Sequence, residues 1–184
     1  MEIQKEIISK IERDYFFIEG QLDVKNPQYF INKIEEGIKK DDNLNHQTNV
    51  RGHHTAWNCF SFDKEFHILL FKLLNYIDTL ENSLTITKQH FRLSEAWGVR
   101  EGFGEYSQKH HHLPAFFSGT IYLNDHPQKL FFPELNRTIT PTCGKFVLFS
   151  SFFLHYTNRN LTDKYKYAIP FNFKYRTVDD MPVK

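Results

Sequence analysis

Residues 108–123 read QKHHHLPAFFSGTIYL, a histidine triplet followed at once by a run of β-forming residues. A second apolar run, residues 145–155, reads KFVLFSSFFLH and ends in His155. Side chains two apart on an extended chain share a face, so His110 and His112 can reach one point in space. A second strand can bring His155 to that point. Because imidazole suits iron, zinc and copper, the pattern predicts a three-histidine metal site with open coordination positions.

Length and composition set the class of protein. A chain of 184 residues favours one domain with a sizeable core. The 23 basic and 22 acidic residues nearly balance, which gives no indication of a nucleic-acid or membrane partner. Cys59 and Cys143 are widely separated, as is typical of a reducing interior. Since there is no apolar run of membrane-spanning length, we expect a soluble, cytoplasmic protein.

Two helices are predicted in the first half of the chain. The first covers residues 27–40, with Asn26 as its N-cap, Pro at its first position and lysines at its end. The second starts after Asp63, repeats apolar residues at helical spacing and ends near Asn82. A short strand over residues 15–18 is predicted ahead of the first helix.

The pattern changes from Ser83 onward, where short apolar runs alternate with Pro, Gly and Asn breaks. The predicted strands cover residues 85–87, 91–93, 115–123, 130–132, 138–140, 146–149 and 165–175. Pro170 falls inside the last of these and predicts an edge position or a bulge. The chain is therefore expected to be mainly β with α, a barrel or sandwich with helices packed on one face.

Several short motifs follow one another in an order that points to a known family. Residues 110–114, HHHLP, precede a strand ending in Tyr122-Leu123, and a PTCG turn at 141–144 precedes the Phe-rich strand and His155. Lys166 then begins the last strand. From Trp97 to Tyr175 the chain resembles the Fe(II)- and 2-oxoglutarate-dependent oxygenases. It is most similar to their prolyl-hydroxylase-like branch and to related oxygenases common in bacteriophage genomes.

The resemblance implies a double-stranded β-helix, or jelly roll, closing around iron. Residues 1–184 would then form a single domain, with 1–82 as a helical N-terminal support packed on one sheet and 83–178 as the core. The similarity to bacteriophage proteins implies a bacterial or phage-infected host cell, in whose cytoplasm the protein is expected. The oligomeric state is left open.

The resemblance also implies a ligand set. Fe(II) would bind His110, His112 and His155, and the far carboxylate of 2-oxoglutarate would meet Lys166 and Tyr122. Two departures from the family stand out, because the usual carboxylate ligand is replaced by His112 and the usual arginine by Lys166. Three neutral imidazoles leave a ferrous site at +2, whereas two imidazoles and a carboxylate leave +1. The alternative is that His112 lies outside the ligand set and a carboxylate comes from Asp125 or Glu134.

The glycine-rich stretch of residues 97–106 is expected to form a mobile loop at the mouth of the barrel. Within it, Trp97, Arg100 and Tyr106 are candidate substrate contacts, and residues 48–52 could fold over the entrance. Three other histidines do not adjoin a comparable predicted strand and are interpreted as surface residues: His53, His54 and His126.

Three functions are compatible with these patterns. The first is hydroxylation of a peptide, a prolyl residue or a small metabolite, with oxidative decarboxylation of 2-oxoglutarate to succinate and no protein general base. The second is a three-histidine metalloenzyme of cupin type that uses no 2-oxoglutarate. The third is a non-catalytic β-barrel binding module. A closed structural zinc site would need four protein ligands, and the sequence offers three.

Overall fold

The computed structural model describes residues 16–40, 48–79 and 91–176. These residues form two α-helices, α1 (Pro27–Lys40) and α2 (Lys64–Thr79), one short 3-10 helix (Pro133–Leu135) and twelve strands. The strands are β1 (Phe17–Gln21), β2 (Val50–Arg51), β3 (His53–His54), β4 (Phe91–Ala96), β5 (Val99–Glu101), β6 (Tyr106–Ser107), β7 (Phe117–Tyr122), β8 (Leu130–Phe132), β9 (Arg137–Ile139), β10 (Lys145–Ser150), β11 (Tyr156–Thr157) and β12 (Lys166–Tyr175). No helix among them is long and apolar enough to span a membrane.

A large antiparallel sheet organises the chain, with strand order β1-β10-β7-β12-β5-β3 and β4 also paired to β12. A smaller sheet has the order β11-β8-β9, and β2 pairs with β6. Apolar side chains of the large and small sheets share one buried cluster, in which the Phe132 and Phe149 ring centroids are 4.8 Å apart. The chain is therefore mainly β with two helices, a layout consistent with the expected jelly roll.

Both predicted helix starts are confirmed by their capping bonds. The Asn26 side chain accepts a hydrogen bond from the Tyr29 amide at 3.1 Å, and the Asp63 carboxylate accepts one from the Phe66 amide at 2.9 Å. The apolar stripes of both helices belong to one buried cluster with residues of the large sheet, including Phe171. Asn82, the predicted end of the second helix, lies outside the described residues, as does the predicted strand at 85–87.

The predicted strands after residue 90 are confirmed, with ends shifted by at most three residues. Pro170 differs from expectation, because β12 is not an edge strand: it pairs with β7 on one side and with β5 and then β4 on the other. Pro170 falls where the partner changes from β5 to β4, so its missing N–H interrupts no ladder on that side. The register shift in β12 lies further on, between Asn172 and Phe173.

Two further expectations are corrected by the structure. The stretch 97–106 is not simply a loop, since β5 lies within the large sheet and pairs with β12 and β3. His54 and His126 are not surface residues, being 0% and 3% exposed. His54 is packed against the Trp57 ring, and the His126 ring contacts the Thr162 hydroxyl. His53 is half-buried and pairs with a glutamate.

Candidate metal and cosubstrate site

The structure brings His110, His112 and His155 together. A pair of backbone hydrogen bonds of 3.0 Å joins His110 and His155 in both directions, and the His112 amide donates to the Ser151 carbonyl at 2.8 Å. These bonds hold two distant chain segments side by side. One ring nitrogen from each of the three histidines lies within 4.8 Å of the others. His111 between them is exposed, as alternation along an extended segment requires.

The donor set fits a metal ion. The Nε2 atoms of His112 and His155 are 3.1 Å apart. Two nitrogens each about 2.1 Å from one ion, at a right angle, lie about 3.0 Å apart. Nδ1 of His110 donates to the Gln108 carbonyl at 2.6 Å and Nδ1 of His155 donates to the Phe153 carbonyl at 3.0 Å. Those bonds leave both Nε2 lone pairs available, as in protein metal sites generally.

All three imidazoles are held neutral, the state in which they bind metals. Burial lowers the pKa of His112 to about 3, and the neighbouring His110 and His111 add to this effect. Burial likewise lowers the pKa of His110 and takes that of His155 well below its ordinary value. The His155 ring packs against both Phe132 and Phe149, with centroids 5.5 and 4.9 Å away, and these contacts restrict its orientation.

Tyr122 and Lys166 line the same cavity as the three histidines. The register of β7 and β12 explains this, because Tyr122 is opposite Ala168 and Lys166 lies two residues before Ala168 on the same face. Both side chains are buried, at 2% and 3% exposure. Burial raises the pKa of the Tyr122 phenol, and negative charge on Glu101 raises it further, so the group is a neutral donor. Its hydroxyl makes no hydrogen bond to another described residue.

Glu101 is a site residue that the sequence did not reveal. It is fully buried, lines the cavity and forms an ion pair with Lys166, its register partner on β12. Its other oxygen accepts hydrogen bonds from the Ser107 hydroxyl at 2.6 Å and from Thr157 at 3.5 Å. The alternation in Val99-Arg100-Glu101 was the available signal for a strand, but the pairing with Lys166 depends on the fold.

The two carboxylates considered as alternative ligands are engaged elsewhere. Asp125 is exposed and accepts a hydrogen bond from the Cys143 amide at 2.8 Å. Glu134 is also exposed and accepts one from the Leu154 amide at 3.0 Å. The group of possible ligands in the described chain contains the three histidines and neither carboxylate.

The three candidate substrate contacts are placed differently. Trp97 is buried, lines the metal cavity and has its ring centroid 6.0 Å from that of His112. Arg100 instead pairs with Glu35 at 2.7 Å, and Tyr106 packs under the Arg159 guanidinium. Among the described residues that line the metal cavity and the cavity next to it, neither Arg100 nor Tyr106 occurs.

That second cavity adjoins the first, and the two share Val50, Trp97, His110 and His112. It is bordered by His110 and His112, and by the start of the stretch at 48–52 that was expected near the entrance. Its other polar and aromatic lining residues are Trp57, Glu95, Trp97, His111, Asn172 and Lys174. His110 and His112 therefore border both the cavity that contains Lys166 and a second cavity that contains Glu95 and Lys174.

Comparison with known proteins identifies the class of fold. No protein-family model matches the sequence, and no curated protein matches it either. Many solved structures do match the fold. One is the viral collagen prolyl hydroxylase of Paramecium bursaria Chlorella virus 1 in complex with 2-oxoglutarate, with a TM-score of 0.62 and 16% identity over 86% of this chain and 94% of that one.

Two more solved structures have a similar fold. A prolyl-4-hydroxylase from Pseudomonas putida has a TM-score of 0.61 and 14% identity over 89% of this chain and 94% of its own. HygX from Streptomyces hygroscopicus, with nickel, 2-oxoglutarate and hygromycin B bound, has a TM-score of 0.58 and 13% identity, covering 87% and 82%. The chain thus has the fold of the 2-oxoglutarate- and Fe(II)-dependent oxygenases, including the prolyl-hydroxylase branch that the sequence resembles.

Proposed function

We propose that this chain is an Fe(II)- and 2-oxoglutarate-dependent dioxygenase that hydroxylates a peptide, such as a prolyl residue, or a small metabolite. The observation that carries the proposal is one cavity lined by His110, His112, His155, Tyr122 and Lys166. The solved structures that share the fold of the chain include prolyl hydroxylases and a protein with nickel and 2-oxoglutarate bound, which supports a 2-oxoglutarate-dependent reaction.

The histidines would hold the ion and the two cavity donors would hold the cosubstrate. When bound, Fe(II) and 2-oxoglutarate would supply O2 activation, with decarboxylation to succinate and hydroxylation of the substrate. The chain contributes neutral imidazoles, a buried ammonium on Lys166 and the neutral Tyr122 phenol, placed to donate to the far end of the oxoacid. The apolar walls exclude water, and no protein group is required as a general base.

The substrate would enter through the second cavity, beside His110 and His112. Trp97 is the substrate contact that this proposal retains, because it lines both cavities. Its buried indole N–H has no hydrogen-bond partner among the described residues. Helices α1 and α2 would brace the large sheet from the apolar cluster that they share with Phe171.

A second candidate is the cupin-type enzyme that works without 2-oxoglutarate. Two observations favour it: a third histidine stands at position 112, and Lys166 is already paired with Glu101. The Tyr122 hydroxyl, open to the same cavity, favours the first candidate. Binding and turnover of 2-oxoglutarate distinguish the two.

The deciding experiment measures succinate formed from 2-oxoglutarate by the purified chain. We expect succinate only when Fe(II) and O2 are both present. Lys166→Ala should weaken 2-oxoglutarate binding at least about tenfold and leave metal affinity unchanged, because it removes the cation at the far end of the cavity. The matched control Lys164→Ala removes an exposed lysine two residues away. A folded, iron-loaded protein that neither binds nor consumes 2-oxoglutarate would rule out the proposal.

A further inference from the structure

The carboxylate of Glu101 stands beside the cation that would receive the cosubstrate. β5 and β12 are antiparallel, and Glu101 is directly opposite Lys166. Their side chains are 0% and 4% exposed, so the ion pair is shielded from water. Attraction between opposite charges is strong in such surroundings, and each charge largely cancels the other for a third group that approaches.

Glu101 is fixed in this place by further donors. The Ser107 hydroxyl donates to its Oε1 at 2.6 Å and the Thr157 hydroxyl approaches the same oxygen at 3.5 Å. Thr157 is itself held by the Ser107 amide at 2.7 Å and by Gln128 at 3.3 Å. These bonds keep the carboxylate against Lys166.

The resulting charge distribution differs between the two ends of the cavity. Three neutral imidazoles leave a bound divalent ion with its full +2 charge, and the Glu101–Lys166 pair leaves the far end near zero. The far end still offers donors, since the ammonium of Lys166 has three N–H groups and its ion-pair partner is the single carboxylate of Glu101. The Tyr122 phenol adds another. An uncharged acceptor can accept hydrogen bonds from these donors. The far carboxylate of 2-oxoglutarate, by contrast, would have to approach the carboxylate of Glu101, which carries the same charge.

We propose that Glu101 sets the cosubstrate selectivity of this site: 2-oxo acids with an uncharged, hydrogen-bond-accepting far end bind about as well as 2-oxoglutarate. The inference rests on the proposed function and defines the class of oxoacid more closely. Glu101 acts as a specificity residue because its negative charge offsets the positive charge of Lys166, and it takes no part in the reaction.

The test compares 2-oxoglutarate with its 5-methyl ester, which keeps the chelating end and loses the far charge. Dissociation constants are measured by calorimetry on the whole chain loaded with Mn(II), without turnover. In the wild-type chain the two constants should lie within about tenfold of each other. In Glu101→Gln the preference for 2-oxoglutarate should grow by about tenfold or more, because the opposing charge is gone. Glu105→Gln is the matched control, since that carboxylate pairs with His53 outside the cavity lining.

The possible results separate the inference from the function. A wild-type preference for 2-oxoglutarate above about tenfold would overturn the inference and leave the proposed function standing. The same holds if Glu101→Gln leaves the preference unchanged or lowers it. Failure of both oxoacids to bind the Mn(II)-loaded wild-type chain would overturn the inference and the proposed function together. The wild-type comparison decides the matter even if Glu101→Gln does not fold.

Discussion

At the residue scale, the candidate site depends on three imidazoles kept neutral by burial. An imidazole that is neutral well below the ordinary histidine pKa carries a free lone pair at any physiological pH. His112 has a pKa of about 3 for this reason. Proton competition for a metal ion is therefore weak at neutral pH, and the three nitrogens are prepared for a cation before one arrives.

The first residue-scale prediction compares two adjacent histidines. His112→Ala should weaken Mn(II) or Ni(II) binding about 100-fold or more, since even groups that only orient a ligand contribute about 10- to 100-fold. His111→Ala removes the same side chain from an exposed position and should change the affinity less than about threefold. Isothermal titration of the metal-free variants measures both constants. Equal losses, or none at position 112, would exclude His112 from the ligand set.

The sequence revealed the histidines for a local reason and missed Glu101 for a non-local one. His110 and His112 are two residues apart, so their shared face follows from chain geometry alone. His155 was indicated by its place at the end of an apolar run of sequence, although β10 itself ends at Ser150. Glu101 becomes a site residue because β5 pairs with β12 in a register that sets it against Lys166. No pattern within the β5 sequence specifies that partner.

At the element scale, Asp63 connects the start of α2 to α1. Its carboxylate accepts the Phe66 amide, the Tyr29 hydroxyl at 2.7 Å and an ion pair from Lys33. Burial alone would raise the pKa of Asp63, but the bonds from Lys33, Phe66 and Tyr29 outweigh it and hold the pKa below its ordinary value. The ionised form is therefore the stabilising one.

The element-scale prediction follows from the lowered pKa of Asp63. Asp63→Asn keeps the cap but loses the charge, and should lower the free energy of unfolding at pH 7 by about 1–2 kcal/mol. Because the folded pKa is depressed, the contribution is complete above the unfolded value of about 3.9 and is lost as the pH falls through the folded pKa. The variant and the wild type should therefore converge in acid.

Urea denaturation at several pH values measures this difference. The control is Asp23→Asn, since Asp23 and its partner Lys25 are 66% and 80% exposed. That change should alter stability by less than about 0.5 kcal/mol. A difference for Asp63→Asn that stays constant down to pH 2 would contradict the assigned linkage.

Elements with a strong local signal were predictable, and those without one were not. Both helices carry an N-cap and an apolar stripe, so their starts could be read directly. β12 was predicted as a strand, but its central position was not, because Pro170 usually marks an edge. The prediction was wrong since β5 and β4 share one side of β12 and Pro170 lies at their junction.

At the scale of the whole molecule, residues from distant parts of the chain share one buried cluster. Phe16 near the start and Phe173 near the end both belong to it, together with residues of α1 and α2. The single domain expected from the chain length stays a prediction, and it requires one cooperative unfolding transition. The metal ligands are equally dispersed, because His110 and His112 lie on one segment and His155 on another.

A whole-molecule prediction follows from this dispersion of the ligands. An ion that binds the folded chain and not the unfolded one stabilises it by about 2.7 kcal/mol at 100 times its dissociation constant. For a chain of this size that is a rise in Tm of roughly 5–10 °C, to be measured by calorimetry with Mn(II) or Ni(II) under argon. His155→Ala should abolish the rise because it removes the ligand of the second segment, while His111→Ala should retain it. A Tm that does not respond to the ion in the wild-type chain would mean that the three nitrogens converge without forming a metal site.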